Sequence, residues 1–204
     1  MNFLNNILDS LNSMSLLEIL AVITGIASVW LAKKENLLVY PIGIISVLIY
    51  VWLCWGVKLY AHTGINLFFF CVSIYGWFNW LRKKEDNTMA VSIKKNSRNE
   101  NFLSICIMVL LWAVLYFILL PFQEIGTPVI VTLTEAFTTA MCFVGMWLMA
   151  WKRVENWIFW IVADLIHIPL YIYKELHITT IQFFIFTIIA YLGYREWSAK
   201  VKTT

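Results

Sequence analysis

Apolar residues run along this chain in blocks of about twenty, broken by short polar connections, and that spacing predicts seven membrane-spanning helices. The blocks cover approximately Leu16–Ala32, Leu37–Trp55, Leu59–Leu81, Phe102–Leu120, Val129–Trp151, Asn156–Tyr173 and Ile178–Trp197. Two connections are longer than the rest. Residues 82–101 are polar and basic, and residues 121–128 hold Pro and Gly turn signals.

Sliding the chain along itself by 117 positions, without a gap, brings Glu18 onto Glu135, Trp30-Leu31 onto Trp147-Leu148, Thr63 onto Thr180, Gly76 onto Gly193 and Trp80 onto Trp197. Leucine coincidences are cheap in apolar sequence, but shared Trp, Glu and Gly at one offset are not. The pattern predicts a 3+1+3 arrangement: residues 1–81 as one three-helix repeat, 82–128 as loop, linker helix and turn, and 129–204 as the second repeat. A single linker helix makes the repeats parallel, related by an axis along the membrane normal, as in SWEET-type carriers. Such carriers bind solute near the midplane between repeats.

Composition agrees with a membrane protein. The chain is 61% hydrophobic and 13% charged, against about 25% charged residues in soluble domains. Cations decide the orientation. The 1–2, 3–4 and 5–6 connections and the C-terminus carry Lys33, Lys34, Arg82, Lys83, Lys84, Lys94, Lys95, Arg98, Lys152, Arg153, Arg195, Lys200 and Lys202; the other side carries Lys58 and Lys174. This puts the C-terminus in the cytoplasm and the N-terminus outside. Residues 1–10 have no basic region of a cleavable leader. The four cysteines, Cys54, Cys71, Cys106 and Cys142, lie in apolar runs and read as core residues, with no metal or redox spacing. No glycine-rich phosphate loop, nucleophile–base set or metal set is present, so neither an ATP-driven pump nor an enzyme is expected, and no cofactor or nucleic acid.

The candidate chemistry is concentrated in the sixth block. Trp157, Trp160, Asp164, His167 and Tyr171 fall on one helical stripe. A carboxylate at the centre of a membrane helix costs about 2.5–3.5 kcal/mol on insertion scales and normally faces a bundle interior or cavity. An acid among aromatic faces suits a flat cation. The third block adds Asn66, Phe69 or Phe70, Ser73 and Trp77, and the seventh adds Gln182 and Phe186. Asn66 and Gln182 fall within one position of each other in the repeat register. Tyr50 is the repeat counterpart of His167. Competing readings are a structural acid, a packed histidine, carboxamides holding helices together, and Trp157 as an interfacial belt residue. Tyr75, Trp77, Trp80, Tyr194 and Trp197 crowd the basic ends of two blocks and read first as belt anchors. Glu18 and Glu135 read as repeat-related cap or packing acids.

The strings KLYAHTGINLFFFCVSIYGWFNW (58–80), WKRVENWIFWIVADLIHIPLYIYKEL (151–176) and TIIAYLGYREW (187–197) resemble the PnuC family of vitamin transporters. The resemblance runs from about Glu18 to Trp197. It implies a SWEET-like fold in a bacterial inner membrane, a homotrimer, and uptake of nicotinamide riboside by facilitated diffusion with trapping by cytoplasmic phosphorylation. It carries Trp157, Trp160, Asp164, Asn66 and Gln182 over as substrate residues. Asp164 stands where other members carry Asn, which favours a cationic vitamin, with thiamine as the alternative substrate and neutral riboflavin fitting less well. A seven-helix retinal receptor is disfavoured because no lysine lies in the middle of the seventh block.

Overall fold

The computed structural model describes residues 15–83, 89–123 and 126–202. The leader expectation, drawn from residues 1–10, and Lys84 in the charge tally lie outside the described residues.

Seven long helices form: α1 (Leu16–Lys33), α2 (Val39–Gly56), α3 (Tyr60–Leu81), α4 (Arg98–Leu119), α5 (Val129–Ala150), α6 (Asn156–Tyr173) and α7 (His177–Lys202). A 3₁₀ turn, Leu120–Phe122, follows α4. All seven are long and apolar enough to span a bilayer. Among the described residues there is no β-strand, only two isolated bridges. The predicted spans hold with two shifts. α4 starts at Arg98 because Ser97 and Glu100 form a capping box, the Ser97 hydroxyl accepting from the Glu100 N–H at 3.3 Å and the Glu100 carboxylate from the Ser97 N–H at 2.7 Å. α7 runs on to Lys202, past the apolar block.

The helices close into a ring, α1–α2–α3–α5–α6–α7 and back to α1, with α4 outside the ring against α5. Exchanging α1 with α5, α2 with α6 and α3 with α7 maps every contact in the ring onto another. The packing is compatible with a 3+1+3 repeat, and the turns follow the same 117-residue register. Among the described residues, four other than glycine adopt left-handed backbone: Glu35 (φ 57°), Lys58 (φ 60°), Lys152 (φ 53°) and Glu175 (φ 58°). They fall into two pairs, 35 with 152 and 58 with 175. Around Glu35 the N–H groups of residues 35 and 36 reach the carbonyls of Ala32 and Leu31; around Lys152 those of residues 152 and 153 reach Met149 and Leu148. Residues 58–59 and 175–176 repeat the pattern against Trp55 and Cys54, and against Ile172 and Tyr171. All four helices thus end in the same type of left-handed cap.

At the end bearing the α1–α2 and α5–α6 connections, here the basic end, a core joins the two halves. Tyr40 meets Trp80 edge-to-face at 5.1 Å and 87°, and its counterpart Trp157 meets Trp197 at 5.4 Å and 87°. Gly76 accommodates the Tyr40 ring and Gly193 the Trp157 ring: a Cβ would come within 2.5 Å and 2.7 Å of them. The indole N–H of Trp80 donates to the Met149 carbonyl at 3.3 Å, and that of Trp197 to the Lys33 carbonyl at 3.1 Å. These contacts correct the belt assignment for Trp80 and Trp197, which are 3% and 0% exposed. A glycine one turn earlier on the same face opens room for an inward ring, so both indoles pack across the halves instead of facing lipid. Tyr75 does lie at the surface, stacked on Trp147 at 5.2 Å.

The basic loop is partly structured. Lys94 pairs with the α5–α6 turn through Lys94 N–H to the Lys152 carbonyl (3.1 Å) and Val154 N–H to the Lys94 carbonyl (3.0 Å). Arg153 holds Glu100 at 2.7 Å, tying α4 to the same turn.

Candidate functional site

α6 carries the centre of the site because its stripe faces inward, although Pro169 interrupts its last turns. Asp164 is 2% exposed. Its Oδ1 has no hydrogen-bond partner among the described residues. Removing a carboxylate from water costs several kcal/mol in real proteins, about 3–5 when a buried charge is left without its partner. A group held this way is a standing attraction for a cation or a donor. Cys142 of α5 packs with Ala163, the residue before Asp164.

One turn toward the basic end, Trp160 lies against Gly145 of α5, where a Cβ would sit 3.3 Å from the indole Nε1 and Cε2. Its ring centroid is 6.5 Å from Phe69 of α3, tilted by 37°, and Phe69 in turn meets Phe143 edge-on at 5.5 Å. On the other side of Asp164, His167 is buried. Its ring lies 4.4 Å from Phe183 of α7 and 5.4 Å from Tyr171, and Tyr171 stacks on Phe183 at 5.1 Å. The His167 Nδ1 also has no hydrogen-bond partner among the described residues. Aromatic planes therefore bracket the acid above and below.

A more polar wall is built from α1, α2 and α7. Tyr50 of α2 lies near the Gln182 side chain of α7. Gln182 and Phe186 lie over Gly25 of α1, 3.5 Å and 3.8 Å from where its Cβ would be. Ser46 donates to the Ala21 carbonyl at 2.8 Å and joins α2 to α1 beneath them.

The ten sequence candidates do not all converge. Phe69, Trp160, Asp164, His167, Gln182, Phe186 and Tyr50 are linked through these contacts. Asn66 is half-buried and donates to its own helix, to the His62 carbonyl at 2.9 Å. Ser73 is buried on α3. Trp157 lies in the basic-end core, 1% exposed, against Trp197 and Gly193. Of the paired acids, Glu18 caps α1 from Ser15, whereas Glu135 of α5 pairs with Lys174 and accepts from Gln123 at 3.1 Å.

Sequence reading missed Gly25, Cys142 and Gly145, and the repeat register held the signal for them. Gly25 corresponds to Cys142, Ser46 to Ala163 and Phe186 to Phe69, and both triplets form the same packing unit. Gly43 corresponds to Trp160 and Ser28 to Gly145. In the first repeat the Cβ of Gly43 would come 2.8 Å from Ser28 Oγ, so α1 and α2 pack closely with no indole between them. At these positions large and small have traded places: the indole stands on the α5–α6 side, and small residues on the α1–α2 side.

The chain matches the nicotinamide mononucleotide transporter family over residues 15–199. It is 25% identical to a protein of Escherichia coli (strain K12) named nicotinamide riboside transporter PnuC, with 90% of this chain and 85% of that one covered. A protein of the same name from Shigella flexneri matches to the same extent. The fold is similar to that in a crystal structure described as the vitamin B3 transporter PnuC, with a TM-score of 0.74, 24% identity, and coverage of 97% of this chain and 86% of that one. With a family match across nearly its whole length and seven apolar helices, this chain is a multi-pass membrane protein that belongs to the nicotinamide mononucleotide transporter family.

Proposed function

We propose that this chain is a passive carrier that takes nicotinamide riboside across a bacterial inner membrane. The observation that carries the reading is the buried Asp164 carboxylate, one oxygen unpartnered, between Trp160 and the His167–Tyr171–Phe183 rings. A pyridinium ring supplies what this place lacks: a positive charge for the acid and a flat face for the indole. A cation on a desolvated aromatic face gains about 2 kcal/mol or more. Gln182 and Tyr50 offer hydrogen-bond partners to the ribose hydroxyls. The two relatives named as nicotinamide riboside transporters support the same solute.

The riboside is favoured over the mononucleotide of the family's description on charge. Every described Lys and Arg lies in a connection or within about two turns of a helix end, so nothing cationic stands beside Asp164 to receive a phosphate. The same argument supports metabolic trapping: once phosphorylated inside, the solute carries charge that the path disfavours. The cation balance supports a cytoplasmic C-terminus and an outside N-terminus. A carrier role without catalysis, assembly as a homotrimer, and the division into repeats at residues 81 and 128 belong to the same proposal.

Uptake into proteoliposomes tests it. Labelled nicotinamide riboside accumulates with the native chain, and Asp164→Asn reduces uptake at least about tenfold, on the order of 1.4 kcal/mol. Excess unlabelled thiamine leaves that uptake intact if the riboside is the substrate and abolishes it if the site prefers thiamine. Undiminished transport by a folded Asp164→Asn protein rejects the site.

A further inference from the structure

Left-handed backbone at a helix cap is normally given to Gly or Asn. This chain puts Glu35, Lys58, Lys152 and Glu175 there, each a charged residue at an energetic cost. Each repeat-related pair also combines opposite charges: Glu35 with Lys152 at the basic end, Lys58 with Glu175 at the other. Only one pair is joined. The Lys152 ammonium donates to Glu35 Oε1 at 2.8 Å across the two halves, and Lys200 of α7 donates to Oε2 at 3.1 Å. Lys58 and Glu175 are both exposed, and among the described residues no ion pair joins them.

We propose that these four residues form two alternating gates, one at each end of the carrier. In the conformation seen here the basic end is shut: Glu35–Lys152 bridges the halves, backed by Glu196 of α7 against Lys33 and Lys34 of α1 at 3.9 Å and 3.6 Å and by the two cross-half indole bonds. When the halves rock, the first bridge parts and Lys58 meets Glu175 to shut the opposite end. Residues related by an axis along the membrane normal face each other across that axis, so one rotation that separates the first pair brings the second together. A charge at each cap lets the same turn fold serve as both hinge and latch. Burial raises the pKa of Glu35, but its hydrogen bonds and attraction to Lys152 and Lys200 outweigh this and hold it below its ordinary value, so the latch stays charged at neutral pH.

The inference needs the carrier reading but not the identity of the solute, and cross-linking without any solute tests it separately. Cysteines replace Lys58 and Glu175, either in the otherwise native chain or together with Glu35→Gln, and the 58–175 disulfide is quantified by mass spectrometry. Opening the basic-end latch should raise its yield at least about threefold, the scale of one partly exposed ion pair. In a chain that also carries Glu35→Cys and Lys152→Cys, closing the 35–152 disulfide should suppress the 58–175 one. Equal 58–175 yields with and without Glu35→Gln, or both disulfides in one molecule, would overturn the proposal. If Glu35→Gln does not fold, the four-cysteine chain alone decides, since both of its outcomes are informative.

Discussion

Gly76 and Gly193 show how much a single hydrogen can decide in this protein. A methyl group at Gly193 would come within 2.7 Å of the Trp157 indole, and one at Gly76 within 2.5 Å of the Tyr40 ring. Both rings are at most 1% exposed and cannot swing into solvent. Gly193→Ala should therefore destabilise the fold by about 1–3 kcal/mol through overpacking. The companion Trp157→Phe should recover part of that loss, because the smaller ring vacates the contact; equal destabilisation with and without Trp157→Phe in a thermal-unfolding cycle would refute the steric account. Glu35 sets a pH expectation by the opposite kind of argument. Its folded pKa lies below its ordinary value of 4.5, because its two lysine partners outweigh the burial that raises it. A carboxylate of lowered pKa stabilises the fold above its unfolded pKa and loses that contribution as pH falls through the folded one. The gap in melting temperature between the native chain and Glu35→Gln should thus stay constant from pH 7 to about 5 and narrow below 4.5. A gap that already closes near pH 6 would mean the ion pair is not its source.

At the level of helices, α4 is the outlier. It packs mainly on α5 within the bundle, so its first turn leans on local chemistry. The Ser97–Glu100 capping box supplies that chemistry, and Glu100 also holds Arg153 of the α5–α6 turn. Ser97→Ala should cost about 1 kcal/mol, a fall of about 2–4 °C in melting temperature. Glu100→Gln should cost more, since it weakens both the cap and the bridge. Should both variants melt with the native chain, the cap is incidental. The same box shows where sequence reading fell short. Hydropathy found all seven helices and fixed α6 to the residue, because lipid demands a fixed apolar length. It started α4 at Phe102, inside the true helix, because polar first turns carry no hydropathy signal; the S-x-x-E string beside it did. The aromatic residues were harder still. A Trp near the end of a span has the same sequence context whether it anchors at the interface or packs across the bundle. What separates Trp80 and Trp197 from a belt is the glycine one turn earlier and the ring across from it, which are relations between helices. In the site, the stripe on α6 was legible from periodicity, whereas Gly145 beneath Trp160 was not, because a glycine announces nothing until its neighbour is known.

For the whole molecule, the arrangement of charge and the arrangement of helices support one another. Of the 15 Lys and Arg, Lys58 and Lys174 alone fall on one side of a seven-span chain. A bilayer orients a chain by retaining such cations on the cytoplasmic side. An even number of spans would break that segregation, and so would losing α4, which would also invert the second repeat relative to the first. The left-handed caps at Glu35 and Lys152 would then lie on opposite faces, and their 2.8 Å bridge could not form. Helix count and the basic-end latch thus stand or fall together. A reporter at the C-terminus should behave as cytoplasmic, with a fluorescent protein folding and an alkaline phosphatase inactive. The same phosphatase inserted at Gly126, in the α4–α5 connection at the opposite end, should be active. An active phosphatase at the C-terminus would reverse the direction assigned to the carrier while leaving the ring of helices untouched; inactive enzyme at both positions would contradict the helix count itself, because one chain with seven spans must present those two points to opposite compartments.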